Sequence, residues 1–351
     1  MLSRTLGLSF LSALSAVVVL SACSGGDATI ADNDSGAGGN DGGVGGQDGA
    51  GGGSDGSSGG SDGASSGNDG GRGSDAGSSS SLRTVFLIMM ENHSWADIKG
   101  SASAPYINGL LATGAHAEQY FTPTGIHPSE PNYLWLEAGS NFGITNDNAP
   151  AQNHQATTEH LVTQLKTANI PWKAYAEDVV ADTCPTTDTG LYAAKHMPQV
   201  FFDDVTGDPA YCKAHIRPFT ELAADLSGAN AARYNFITPS LCNDMHGTTG
   251  GFQCVPGVTD LIKMGDDWLK TNVAKITASQ AYQNGGVVFI LWDEGSGAFT
   301  GSDGPLGLIA LSSKVKPGFA SSTKFTHSSM LKTVSMIFGV TPLRDANAAA
   351  T

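Results

Sequence analysis

The chain has 351 residues and carries 33 acidic against 18 basic side chains, a formal charge of −15. No basic stripe of the kind that holds a phosphodiester backbone appears, which excludes a nucleic-acid binder. Much of the acidity, and many of the 46 glycines, fall in one early stretch, so the charge says little about partners and the core is built from fewer residues than the whole.

Residues 1–22 begin with Arg4, run through an apolar segment at 6–20 and reach Leu20-Ser21-Ala22-Cys23, the three parts of a secretory signal. The apolar run is shorter than the roughly 20 residues a membrane-spanning helix needs. LSAC resembles a bacterial lipoprotein box, which implies cleavage before Cys23 and lipid on its sulfur and new amino group. Ser24 after it points to the outer membrane. The expectation is therefore an exported protein held to the cell envelope by its lipid and by nothing else. Residues 23–81 are almost wholly Gly, Ser, Asp, Ala and Asn, and such a composition cannot bury enough surface to order itself. They read as a tether, on the order of 40 Å end to end as a flexible coil.

Residues 82–344 suit one α/β domain. With Cys23 assigned to lipid, Cys184, Cys212, Cys242 and Cys254 are an even set in an exported chain, and two disulfides are expected. The sequence-local pairing, Cys184 with Cys212 and Cys242 with Cys254, is favoured. A zinc site is the alternative, but the spacings match no tight C-x2-C pattern.

In chain order, 82–90 (LRTVFLIMM) is an apolar run of strand length that stops at Glu91-Asn92-His93. Residues 105–113 have helical spacing and Gly114 as a stop, and 115–121 form a short strand. Ser129 followed by Glu130-Pro131 signals a helix start, which puts its hydroxyl at a helix N-terminus. A helix at 158–169 and a strand at 172–176 follow. Residues 179–213 show no period and read as an insertion with little regular structure. Beyond them come a helix at 219–226, a strand at 234–238 (YNFIT) and the polar loop PSLCNDMHGTT. A helix at 260–281 leads to the central strand, 287–292, which ends in Asp293 and Glu294. A strand at 306–311 and a helix at 326–338 close the domain. Strands alternating with helices predict a three-layer α/β fold, a mostly parallel sheet with helices on both faces.

Parallel strands finish on one edge, where ligands bind in such sheets. Glu91 and Asn92, Ser129, Asp244 and His246, Asp293 and Glu294, and His327 therefore converge on paper. Singly, each has a duller role: Glu91 or Ser129 as a helix cap, Asn92 in a turn, His246 in loop order, His327 as a cap. Together the types fit one chemistry. Carboxylates and imidazoles hold divalent metals, and a hydroxyl at a helix N-terminus beside a metal is a nucleophile suited to phosphorus.

These residues also resemble a family, the phosphoesterases that include acid phosphatases and nonspecific phospholipases C, within the alkaline phosphatase superfamily. ENHSW at Glu91 to Trp95 resembles its ENxSF opening motif, SEPN at Ser129 to Asn132 its (S/T)-x-P-N nucleophile motif, and Asp293-Glu294-Gly295 its DE-x-G motif. NDMHGTT at Asn243 to Thr249 is similar to the N-D-x-H loop of fungal-type acid phosphatases, and THSS at Thr326 to Ser329 to a late histidine motif. The resemblance implies Ser129 as nucleophile and Glu91, Asn92, Asp293 and Glu294 at metal positions. Asp244, His246 and His327 match places that hold a second metal or phosphate. Asn132 is expected at the substrate, and His127 to contact phosphate or protonate the leaving group. The implied cofactor is one or more divalent metal ions of unspecified identity, and the implied partner a phosphate ester. Phospholipase members read PNR where this chain has Pro131-Asn132-Tyr133, and continue to a D-H-V triplet absent after Glu294. The departures favour a phosphomonoesterase, with phospholipase C activity or a degenerate surface-binding lipoprotein as the alternatives.

Overall fold

Seven consecutive apolar or buried positions leave a strand no face to give to water, so such a strand belongs in the middle of a covered sheet. Thr84–Met90 (β1) has that pattern and lies at the centre. The others are Ala115–Phe121 (β2), Trp172–Ala176 (β3), Ile216–Pro218 (β4), Tyr234–Thr238 (β5), Gly286–Trp292 (β6), Leu308–Leu311 (β7) and Phe319–Thr326 (β8). They form one sheet in the order β4-β3-β5-β1-β6-β7-β2-β8. All neighbours are parallel except β7, which runs antiparallel to both β6 and β2. The computed structural model describes residues 82–228, 231–248, 254–255, 258–297 and 303–351. The signal, Cys23, the tether and Thr249 lie outside them.

Two groups of helices cover the sheet. Pro105–Thr113 packs on Leu261–Ala278, and Ser129–Ala138 packs on His327–Phe338 and Leu161–Thr167. The first pair is latched by a buried carboxylate: Asp266 accepts the N–H groups of Tyr106 and Ile107 at 3.1 and 2.8 Å. The long helix starts where the Asp260 side chain caps Lys263 N–H at 3.0 Å. The last helix stops at Gly339, whose φ of 69° suits a residue without Cβ.

Four expectations change in detail. The strand placed at 306–311 is Leu308–Leu311, and Leu306 makes only isolated bridges to Ser94 and Tyr120. The helices placed at 158–169 and 260–281 are Leu161–Thr167 and Leu261–Ala278, the latter followed by a separate turn, Gln280–Gln283. Residues 179–213 are more ordered than their lack of period suggested, with 3-10 turns Ala194–His196 and Pro198–Phe201 and helices Asp203–Thr206 and Pro209–His215. The fourth change is the presence of β4 and β8, which carry no buried apolar run to announce them. Both disulfides are closed in the sequence-local pairing, Cys184–Cys212 and Cys242–Cys254.

Candidate active site

Register brings the first acids together. Met90 pairs with Trp292 at the ends of β1 and β6, so Glu91 and Asp293 leave adjacent strands side by side. Main-chain hydrogen bonds then lace the three strand ends: Asp293 N–H donates to the Met90 carbonyl at 3.0 Å and Glu91 N–H to the Asp244 carbonyl at 2.8 Å. The loop bearing Asp244 is itself clasped by Glu177, which accepts from Ser240 N–H, Asn243 Nδ2 and Trp268 Nε1 at 2.7 to 2.9 Å. Between Asp244 and His246 the buried Met245 takes a left-handed φ of 81°. Its side chain lies where a Cβ on Gly265 would come within 2.5 Å, so the long helix approaches this loop only because residue 265 is glycine.

Ser129 is the first residue of its helix and fully buried, and its Oγ–H donates to Glu91 Oε2 at 3.3 Å. The Tyr133 hydroxyl, one turn on, donates to Glu91 Oε1 at 2.5 Å. Asp293 Oδ1 accepts Asn92 N–H at 3.1 Å. Asn92 thus enters through its main chain, at a φ of 52° that asparagine tolerates better than most residues. Asp244 Oδ1 accepts His246 N–H at 2.7 Å. Glu294 Oε2 faces His127 Nδ1 at 3.0 Å and accepts from Asn132 Nδ2 at 3.3 Å.

One member was not foreseen. His196, fully buried, lies between the first two clusters, with Nε2 3.3 Å from Glu91 Oε1 and Nδ1 3.4 Å from Asp244 Oδ2. Its ring stacks on Tyr133, 5.0 Å between centroids. Burial, then the charges of Lys195 and His246, keep it neutral, the form in which imidazole binds a metal. His246 donates Nδ1–H to the Gly247 carbonyl at 2.9 Å, and its Nε2 lone pair faces the Lys195 Nζ at 3.5 Å. Ligand atoms of Glu91, His196 and His246 all lie within 4.8 Å of one another.

Electrostatics and satisfaction both leave room for a cation here. Burial, followed by the charge of Glu294, pushes Asp293 up to about 8. Burial, followed by Asp147 and Asp303, does the same to Glu294. Glu91 and Asp244 are raised well above the carboxylate range, again by burial first and then, among other charges, by that of Asp293. Asp244 Oδ2, Asp293 Oδ2 and His196 Nε2 are buried without a hydrogen-bond partner. Acids that repel each other around unpartnered donor atoms fit a divalent ion.

One expected ligand is engaged elsewhere. His327 donates Nε2–H to the Asp293 carbonyl at 2.7 Å and accepts the Tyr120 hydroxyl on Nδ1 at 2.8 Å. Burial holds it neutral, with a pKa of about 4, so both ring nitrogens are engaged; it braces the main chain of Asp293 and offers no ligand atom. Asn132 is fully buried; its Nδ2 donates to Glu294 and to the carbonyls of Ile126 and Pro128, which orders the nucleophile loop, while its Oδ1 has no hydrogen-bond partner. His127 is partly exposed and sits between Glu294 and Asp303, 3.2 Å from the latter's Oδ2.

The raised acids have a consequence for stability. Metal-free, Asp293 and Glu294 keep their protons up to about pH 8, whereas in the unfolded chain they release them near pH 4. Across that window the folded state binds more protons than the unfolded one, so stability falls as pH rises and levels off above the folded values. Between about pH 5 and pH 6.5 the buried, neutral histidines His196 and His327 work in the opposite sense. With chelator present, the melting temperature should therefore drop from pH 7 to pH 8, and a divalent ion should reverse the drop. A metal-free melting temperature that is flat or rising over this range would contradict the burial of these acids in the folded state.

The sequence profile of the phosphoesterase family matches residues 101–341. The chain is 31% identical over 268 residues to a phosphatidylinositol-3-phosphatase of Mycobacterium tuberculosis, covering 76% of this chain and 81% of that one. It is 26% identical over 270 residues to an acid phosphatase of Aspergillus fumigatus, covering 74% of this chain and 55% of that one, so it spans about half the length of this fungal relative. Among solved structures, a protein of the alkaline phosphatase superfamily from Vibrio parahaemolyticus aligns with a TM-score of 0.52 at 11% identity, over 77% of this chain and 71% of that one. That likeness is one of fold. Two likenesses of sequence, to the profile across most of the domain and to the bacterial phosphatase across most of its length, make the chain a member of the phosphoesterase family, hydrolases of phosphoric esters.

Proposed function

We propose that the chain is a metal-dependent phosphomonoesterase with Ser129 as nucleophile. The observation that carries this reading is the hydrogen bond from Ser129 Oγ, at the start of a helix, to the buried carboxylate of Glu91, in the same cluster as the unpartnered Asp244 Oδ2, Asp293 Oδ2 and His196 Nε2. Glu91, Asp244, Asp293, His196 and His246 would hold the divalent ion, which when bound supplies Lewis acidity toward the phosphoryl oxygens and the nucleophile. Glu91 Oε2 takes the Ser129 proton as Oγ bonds to phosphorus and the bond to the ester oxygen breaks. The helix N-terminus favours the negative charge gathering there. Tyr133 fixes the Glu91 carboxylate, and His127 hands a proton to the departing oxygen. Water then cleaves the phosphoserine.

The names of the relatives, a phosphatidylinositol-3-phosphatase and an acid phosphatase, support removal of a terminal phosphate. A phospholipase C would need an apolar rim, and residues 179–213 were the place to find one. Their large apolar side chains Met197, Val200, Phe201, Phe202 and Val205 are buried in the core, while Val180 is well exposed. The test is direct: with a divalent ion, the purified protein should release phosphate from a soluble aryl phosphate, lose that activity to chelator, and release little phosphocholine from lecithin. Faster release of phosphocholine than of phosphate would overturn the monoesterase reading. Attachment to the envelope through lipid on Cys23 remains part of the proposal, resting on residues 1–23 alone.

A further inference from the structure

Four buried carboxylates, Glu91, Asp244, Asp293 and Glu294, converge where a phosphate monoester, a dianion near neutral pH, has to enter. A fixed cation of the chain's own therefore has a task there, and Lys195 is placed for it. It lies in the 3-10 turn Ala194–His196, next to His196. Its Nζ donates to Asp147 Oδ2 at 2.8 Å and lies 3.5 Å from His246 Nε2. The Lys195–Asp147 pair is mostly shielded from water, with 20% and 27% of the two side chains exposed.

The other oxygen of Asp147 decides what this pair is for. Oδ1 accepts the main-chain N–H of Glu130 at 3.0 Å, the residue directly after Ser129. One carboxylate thus bridges a lysine ammonium and the amide beside the nucleophile. Those are two donors that the oxygens of a phosphoryl group on Ser129 can use, lysine acting as a point charge and the amide as a directed donor. We propose that Lys195 and the Glu130 N–H bind the phosphoryl oxygens of the substrate, and that Asp147 is an internal anion which occupies this cradle until substrate displaces it. The inference rests on the reading of Ser129 and its neighbours as the phosphoester site. Lys195 is then a catalytic residue, and Asp147 a competitor built into the fold.

The two residues should move phosphate binding in opposite directions, which a merely structural ion pair would not. The host is the full chain carrying Ser129→Ala, loaded with a divalent metal and titrated calorimetrically with inorganic phosphate, so that binding is read without turnover. Adding Lys195→Met should weaken phosphate binding about tenfold or more, the loss expected for a charged hydrogen bond. Adding Lys195→Arg, which keeps the charge, should cost only a few-fold, and adding Asp147→Asn should tighten binding. Metal content by elemental analysis should stay the same throughout. Unchanged binding in Lys195→Met, or weaker binding in Asp147→Asn, overturns the inference. If Lys195→Met does not fold, the opposite signs of the other two variants still decide. A metal-loaded host that binds no phosphate at all overturns the underlying functional reading, and the inference falls with it.

Discussion

Ser129→Ala should lower kcat on a phosphomonoester by about 1,000-fold or more while the protein keeps its metal, because the hydroxyl is the reacting atom and the carboxylates and imidazoles around it are unchanged. Asp293→Asn should remove activity and metal together. It replaces a fully buried acid whose Oδ2 has no hydrogen-bond partner, while the main-chain bond from Asp293 to Met90 does not depend on the side chain. Groups that act as one unit lose their effect once, so the double variant should be little worse than either single one. Acid quenching of the unmodified enzyme during turnover should trap phosphate on Ser129. Near-normal turnover by Ser129→Ala with metal present would mean that a water molecule is the nucleophile and that Ser129 only orients Glu91.

Opening the disulfides should cost more than stability. Cys184–Cys212 encloses Lys195 and His196, and Cys242–Cys254 encloses Asp244 and His246, so each crosslink brackets two residues of the site. Loops of 28 and 12 residues place the entropic contribution at about 3 kcal/mol per crosslink. The paired substitution Cys242→Ser with Cys254→Ser should lower the melting temperature and also weaken metal binding, measured by competition with a chromogenic chelator. Paired substitution of Cys184 and Cys212 should do the same through His196. Four free thiols in the denatured, unreduced protein would remove the basis for this, and unchanged metal affinity in both paired variants would show that the loops hold their shape without the crosslinks.

The sheet was legible where burial writes a pattern. β1 and β6 are unbroken apolar runs, and each run ended where the structure places its acids. β8 was not legible, because FASSTKFT is a largely exposed edge strand with more polar than apolar positions. β4 is three residues long and ends in proline. The same division applies to the site. Glu91 and Asp293 stand directly after strand ends and Asp244 in the loop that follows β5, where sequence order maps onto space. His196 and Lys195 stand on a 3-10 turn inside an aperiodic segment, and 3-10 turns leave no period to read. Their signal was indirect: a segment closed by two cysteines and rich in chemistry-bearing residues. The Asp293 carbonyl, which can only accept, fixes the tautomer of His327, and its other nitrogen depends on Tyr120, 207 positions away, whose hydroxyl donates to it. No local pattern encodes a partner at that separation.

The lacing of the strand ends by main-chain hydrogen bonds separates two properties that often fail together. Glu91 N–H on Asp244, Asp293 N–H on Met90 and His327 on the Asp293 carbonyl fix where the functional side chains start, and none of these bonds uses an atom of the Glu91, Asp244 or Asp293 side chains. Exchanging one of those carboxylates for its amide, which keeps an oxygen for the Asn92 and His246 N–H groups, therefore changes the chemistry of the pocket without redrawing its outline. On this frame the metal-retaining Ser129→Ala variant is suited to serve as a trap, a folded protein that still holds an ester it can no longer cleave, from which the natural substrate can be recovered and identified.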